Sequence, residues 1–490
     1  MQTSISDKTG DGVKIGLECH VQLTKLKTKL FCGCSADYRD REPNTSVCPV
    51  CLGLPGTLPV PNRKAFDFAM MISKALNCDI ARLSSFYRKN YTYVDLPKNY
   101  QISQYEAADG SRTLARNGYL TLKVNGENKR VGIWRIQLEE DPGRNVFKGS
   151  ITTSPETLVD YNRSGVALCE IVTAPDINSP REARLFAQKL RSIVEHLGVT
   201  DGGLQGSMRF DANISVGGGK SVEIKNITSF KAVQKALSFE ISRQKSLRNR
   251  GAQVNRETRH YDELRKITVS LRTKETEEDY RYFRDPDLMP IRIGEDAIDA
   301  IAGEMQELPD ARAERFATQY GLPEYDSGVL TSSKVLADFF EECVELHENP
   351  KKVANWLMTE LLGYLNEKGL EIEDLKTTPG HIAALLKLID DKTISGKIAK
   401  RVMREMLETG ARPDEIVRAR GLTKIADREE LAGVVESVFE EFPDSVSDAV
   451  KDPKAANYLV GQVMRKTMGR ADPEKTNKLV RERLEQVGAR

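Results

Sequence analysis

The sequence has no surplus of either charge: 73 lysines and arginines stand against 72 aspartates and glutamates in 490 residues. A bulk cationic surface for nucleic acid is thereby excluded, and any RNA contact must come from local patches. No apolar run approaches the roughly 18 residues needed to cross a bilayer, so no membrane partner is expected. The opening MQTSISDKTGDG lacks the apolar stretch of a secretory signal and reads as a short disordered leader over 1–12. A cytoplasmic chain is the expectation. Histidine is scarce, at five residues. His196, His347 and His381 fall in helical patterns that suit packing or surface roles, and no nucleophile constellation stands out. No GxGxxG opens a βα unit, so dinucleotide binding has no support. Val216-Gly-Gly-Gly-Lys-Ser221 resembles the end of a phosphate-binding loop. Ile214 stands where that loop needs its first glycine, however, and no helix follows, so it reads as a hairpin turn.

The length calls for two to four domains. To about residue 295 the chain alternates strand patterns with glycines and most of the tyrosines. From 296 it turns helical, with patterns over Ser333–Glu345, Lys352–Lys368 and His381–Asp390, a break at Thr377–Gly380 and another at Gly410–Pro413. This organisation predicts an α/β body over 13–295, a helical domain over 296–410 and a small helical tail over 411–490. No solenoid repeat is visible.

Four of the eight cysteines cluster. Cys32-Gly-Cys34 and Cys48-Pro-Val-Cys51, separated by a loop, suit tetrahedral zinc coordination; with four thiolates no position stays open, so the metal would be structural. Four reduced, metal-free cysteines are the plainer alternative.

Period-two alternation assigns faces to three strands. Over Val13–Leu23, Ile15, Leu17, Cys19, Val21 and Leu23 share one face, and Glu18, His20 and Gln22 the other. That places a carboxylate beside an imidazole, as a metal pair or as a solvated polar face. In Arg209–Val216, Arg209, Asp211, Asn213 and Ser215 share a face, and Glu223 and Lys225 extend it from the partner strand. Ile133–Asp141 ends in Glu139-Glu140-Asp141, three acids that repel unless a cation or base sits among them. Glu139 and Glu140 point to opposite faces unless Pro142-Gly143 breaks the strand early. Aromatics and bases interleave over Tyr87–Tyr93 and Asp95–Tyr105, which suits stacking on a nucleotide or packing on the body. Met464–Arg470 with Lys475, Lys478, Arg481 and Arg483 forms a basic helical stretch, suited to surface exposure or RNA backbone.

Read together, these segments resemble the Gat amidotransferase B-subunit family. The resemblance is carried by Ile15-Gly-Leu-Glu-Cys-His-Val-Gln22, Phe31-Cys-Gly-Cys-Ser35, Cys48–Gly56, Lys89-Asn-Tyr91, Asp95-Leu-Pro-Lys98, Tyr100–Gln104, Leu138-Glu-Glu-Asp141 and Asn162-Arg-Ser-Gly165. It continues through Arg209–Ser215, Val222–Asn226, Lys274-Glu275 and Asp279–Phe283, and spans nearly the whole chain. It implies an α+β protein: a cradle-like, kinase-like mixed body with a zinc-stabilised loop, then a helical domain and a YqeY-type tail that helps bind tRNA. It implies that Asp or Glu mischarged on tRNA(Asn) or tRNA(Gln) is phosphorylated with ATP and Mg2+, then amidated. The ammonia would come from a separate glutaminase A subunit, with a small C subunit completing a heterotrimer. By the same resemblance, Glu18, His20, Glu139 and Glu170 would hold magnesium, with Glu140 a further catalytic candidate. Lys98, Arg209, Asp211, Asn213 and Lys225 would contact nucleotide or substrate, and Cys32, Cys34, Cys48 and Cys51 would hold zinc. Two residues depart from the family pattern: Gln137 where bacterial members usually have His, and Cys19 where Val or Ile is common. A zinc-stabilised, non-catalytic tRNA-binding adaptor is the rival reading. A second rival, the E-type subunit of the related two-subunit enzyme, carries an inserted domain for which 490 residues leave little room.

Overall fold

The computed structural model describes residues 12–488 apart from 108–109, 111, 149–153, 203, 205, 274–276, 424, 426–427 and 453, and describes 226, 272–273 and 277 by their backbone alone. The expected leader, except for Gly12, and the motif Lys274-Glu275 lie outside the described residues. The chain divides into two compact units at Ala311/Arg312, and each is described by itself.

The first unit is built on a twelve-stranded sheet among the described residues. Six neighbouring strands form its middle: β1 (Val13–Gln22), β2 (Tyr100–Gln104), β3 (Glu127–Glu140), β4 (Ala167–Thr173), β5 (Met208–Val216) and β6 (Val222–Ile227). They lie side by side in the order β6-β5-β1-β4-β3-β2, and every join among them is antiparallel. The alternation in the sequence decides which face is covered. Ile15, Leu17, Cys19 and Val21 are buried on one side, together with Phe210, Ala212 and Ile214. Among the helices that share that core are α1 (Arg63–Ala75), α2 (Pro180–His196) and α3 (Phe230–Asn249), which contribute Ile72, Phe186, Leu190, Val233 and Leu237. Each opens on a residue that satisfies an orphan amide. Asn62 accepts from the Lys64 amide, Ser179 from that of Glu182 and Ser229 from that of Ala232. The β5–β6 turn is a hairpin, as its glycines predicted: Gly217 and Gly218 have φ of +58° and +74°.

One boundary differs from expectation. The helix α4 (Glu295–Glu304), placed by its sequence texture with the helical part, buries Ile298 and Ile301 in the core of the sheet unit. The second unit is wholly helical among the described residues. Helices Lys334–Leu346, Pro379–Asp390 and Gly396–Thr409 surround Phe340, Leu386 and Met406. Pro350–Trp356 continues through a π-helical turn, Leu357–Leu361, into Leu362–Lys368. The break at Gly410–Pro413 does not separate two cores: Pro413–Ala419 packs Ile416 and Val417 into this same cluster. The second cluster begins at Ile425 and gathers Val438, Leu459 and Val480 from the last four helices.

β3 leaves the sheet at a charge knot. Asp141, 1% exposed, accepts from Arg209 through Nη2 at 2.7 Å and Nη1 at 3.2 Å, and from the Gln22 amide at 2.5 Å; Arg163 Nε stands 3.8 Å away. Burial pushes the Asp141 carboxyl up, but the Arg163 and Arg209 guanidiniums more than offset it and hold the group at about 2. A carboxyl lowered from its ordinary 3.8 contributes stability that is complete above pH 4 and is lost as the pH falls towards 2. The contribution is on the order of 2 kcal/mol. Asp141→Asn is expected to reduce the stability lost between pH 5 and pH 2 by about that amount, measured by urea unfolding at the two pH values. Identical acid sensitivity in the two proteins would contradict the assignment.

Candidate functional site

The uncovered face of β6-β5-β1-β4-β3-β2 floors a cleft of about 800 Å3. Strand register brings its polar residues together. His20 stands opposite Glu170 on one side and Arg209 on the other, while Glu18 stands opposite Asp211. Glu170 is level with Gln137, and Leu168 with Glu139. His20 Nε2 lies 3.8 Å from Glu139 Oε1 and 4.0 Å from Glu170 Oε2. One donor atom from each of these three residues falls within 4.8 Å of the other two. Glu18, two residues along β1 on the same face, accepts from Asn213 Nδ2 at 2.9 Å. Lys225 reaches Asp211 at 3.4 Å and Glu223 at 3.8 Å.

Burial and this crowding together set the titration of the acids. Burial, with Glu170, Asp211 and Glu223 nearby, raises the Glu18 carboxyl to about 7. Burial and Glu170 push Glu139 well up. Burial also raises Glu170, but His20, Arg135 and Lys89 bring it below the ordinary carboxylate range. Burial lowers His20 against the pull of Glu170 and Asp211, which keeps a lone pair on the imidazole at neutral pH. Two glutamates and a neutral imidazole make a donor set for a divalent cation, and the like charges around them are what such an ion would relieve. The nitrogen donor makes the set acceptable to Mn2+ as well as Mg2+.

The predicted site residues divide. Glu18, His20, Glu139, Glu170, Arg209, Asp211 and Lys225 line the cleft, and Asn213 touches it through Glu18. Glu140 and Lys98 do not. Regular strand geometry persists to Glu140, so its side chain points to the opposite face from Glu139. There it forms a buried ion pair with Lys98 and accepts from the Ile102 amide at 2.9 Å. Arg209 is committed to Asp141. Of the aromatic segments, Lys89 and Tyr91 enter the cleft wall, whereas Tyr100 packs beneath the Arg88 guanidinium at 4.4 Å.

Several cleft residues were not offered as site residues. Gln137, noted in the sequence only as a departure from the family pattern, and Arg135 alternate with Ile136 and Leu138, so the period that placed Glu139 places them too. Tyr280 and Tyr282 arrive from a distant segment with no local signal of their destination. Tyr282 stacks on Tyr105 at 4.1 Å, and Lys89 lies 4.8 Å above the Tyr280 ring.

Cys32, Cys34, Cys48 and Cys51 converge, with their sulfurs within 4.8 Å of one another. A tetrahedron with Zn–S bonds of about 2.3 Å sets sulfurs about 3.8 Å apart, so the four fit that ion. A hydrogen bond from Cys32 holds the Cys51 thiol down at about 4, against burial and with help from Lys29. Fully buried, Lys29 Nζ donates to the Ser46 carbonyl at 2.8 Å and stands 3.7 Å from Cys51 Sγ. The loop that follows abuts the Lys98–Glu140 pair: at Gly53, whose φ is +67°, an added Cβ would collide with Lys98 Cγ.

Comparison with known proteins accords with this geometry. A family model described as the GatB/GatE catalytic domain matches residues 13–299, and one described as the GatB domain matches 338–484. A protein of Sulfurisphaera tokodaii, named as the B subunit of aspartyl/glutamyl-tRNA(Asn/Gln) amidotransferase, is 52% identical over 473 residues, 96% of this chain and 99% of that protein. Proteins of the same name from Carboxydothermus hydrogenoformans and Thermotoga maritima are 49% and 50% identical, each over 96% of this chain and 98% of their own length. With the sheet unit matched along its length and half of all residues shared end to end, the chain belongs to the GatB/GatE amidotransferase family.

Proposed function

We propose that the chain is the B subunit of a tRNA-dependent amidotransferase, acting on Asp or Glu misacylated on tRNA(Asn) or tRNA(Gln). The observation that carries the reading is the His20–Glu139–Glu170 cluster, set with Glu18 in a cleft whose walls hold lysines, arginines and tyrosines. In the proposed reaction the substrate side-chain carboxylate attacks the γ-phosphorus of ATP and ADP leaves. Ammonia then attacks the activated carbonyl and phosphate departs, leaving the amide. Phosphoryl transfer demands positioning and charge neutralisation more than covalent help from the protein. Bound Mg2+ would supply that neutralisation, held by Glu139, Glu170 and His20, with Glu18 behind them. Lys225, Arg135 and Lys89 supply positive charge for the phosphates, and Tyr280 and Tyr282 offer ring faces to a base. The family resemblance assigns ammonia to a separate glutaminase A subunit, with a small C subunit completing the complex, and the lack of a nucleophile constellation in the sequence agrees with that assignment. Zinc at the four cysteines would hold the loop and take no part in the chemistry.

The test is amide formation by the chain assembled with its A and C subunits, given glutamine, Mg-ATP and Asp-tRNA(Asn) or Glu-tRNA(Gln). Glu170→Ala and His20→Ala are each expected to lower the rate by about a hundredfold or more, with tRNA binding near normal. Mischarged tRNA bound without any amide formed by the wild type would instead favour the adaptor reading. Cys48→Ser is expected to lose one zinc per chain and to lower the melting temperature by roughly 5 °C or more, while the amidation rate at low temperature changes little. A zinc-free variant of wild-type stability would overturn the structural zinc.

A further inference from the structure

The acid cluster has neutral hydrogen-bonding neighbours beside it on the sheet. Gln137 of β3 is level with Glu170 of β4 and is buried. Its amide nitrogen carries two hydrogens and meets two acceptors, Glu170 Oε2 at 3.0 Å and Ser103 Oγ at 3.2 Å. Ser103, on β2, is level with Glu139 and 1% exposed. Its hydroxyl lies 3.4 Å from Glu139 Oε2 and 3.3 Å from the Gln104 carbonyl, which compete for its one proton. An amide and a hydroxyl thus connect the two carboxylates.

We propose that Gln137 and Ser103 are positioning residues that hold Glu139 and Glu170 in the orientation that binds a divalent cation; the inference rests on the reading of that site given above. The choice of residue types follows from charge. Two buried carboxylates this close repel when both are ionised, and Glu139 and Glu170 hydrogen-bond to each other here, so a cation that takes both must meet them in a fixed orientation. A lysine in place of the amide or the hydroxyl would relieve the repulsion but would also neutralise the site and displace a cation. An apolar pair would leave the carboxylates unrestrained. A neutral amide on Glu170 and a neutral hydroxyl beside Glu139 leave the charge of the acids for the ion, and groups that orient metal ligands in this way commonly govern affinity by ten- to a hundredfold. Gln137 also differs from a histidine at that place in carrying no charge at any pH.

The test is Mn2+ binding to the full chain, followed by the electron paramagnetic resonance signal of free Mn2+, with the melting temperature of the cation-free protein measured alongside. Gln137→Met keeps the length of the side chain and removes both donors; Ser103→Ala removes the hydroxyl and no more. Each is expected to weaken Mn2+ binding by about tenfold or more, with the cation-free melting temperature little changed. Gln137→His, which keeps a ring N–H, is expected to bind more tightly than Gln137→Met. Wild-type affinity in both Gln137→Met and Ser103→Ala overturns the positioning role, and Ser103→Ala decides alone if Gln137→Met does not fold. Glu170→Gln separates the two levels of the argument. If it binds Mn2+ as well as the wild type, the cation site itself is wrong; if it fails to bind while both positioning variants bind normally, only the present inference falls.

Discussion

Repulsion among buried carboxylates on one sheet face is the constraint to which the rest of the first unit is fitted. Glu18, Glu139, Glu170, Asp211 and Glu223 project from five adjacent strands, and burial together with Glu170, Asp211 and Glu223 raises Glu18 to about 7. A flexible loop would relax by moving its acids apart. Here antiparallel hydrogen bonding fixes each backbone position, and helices hold the reverse face with aliphatic and aromatic side chains. The acids cannot separate, so the site retains an unmet demand for positive charge. Lys225 meets part of it through Asp211 and Glu223. The remainder, around His20, Glu139 and Glu170, is what suits a divalent ion.

Three successive acids at the end of β3 show how finely the fold separates function from support. Glu139 faces the cleft. Glu140, one residue on, faces away and is neutralised by Lys98 beside the cysteine loop. Asp141, past the strand end, is paired with Arg209 and close to Arg163, which hold its carboxyl down at about 2 against burial. The arginine that resemblance offered as a nucleotide contact lines the cleft and also pairs with Asp141 at the strand exit beyond Glu139. The four cysteines serve a similar supporting purpose, since the segment they gather packs against the Lys98–Glu140 pair.

Much of this was legible in the sequence, because a period of two needs no tertiary information. The face shared by Glu18 and His20, the polar face of Arg209–Ser215 and the glycine hairpin after Val216 all follow from alternation and turn chemistry, and the cysteine spacing pointed to their convergence. What escaped depended on partners distant in sequence. Nothing near Glu140 announces Lys98, and nothing near Tyr282 announces Tyr105. The helix Glu295–Glu304 reads as the start of a helical region, yet Ile298 and Ile301 find their core in the sheet unit. Gly410–Pro413 punctuates the chain as a boundary would, but Ile416 and Val417 pack backwards. In each case local signals set the element and long-range burial set its allegiance.

The most direct test of the central claim is an anomalous-scattering map from crystals of the protein soaked with Mn2+. The account predicts a peak bounded by His20 Nε2 and by carboxylate oxygens of Glu139 and Glu170, absent in Glu170→Ala. A peak confined to other acids of the cleft, or none at that cluster at saturating Mn2+, would contradict it.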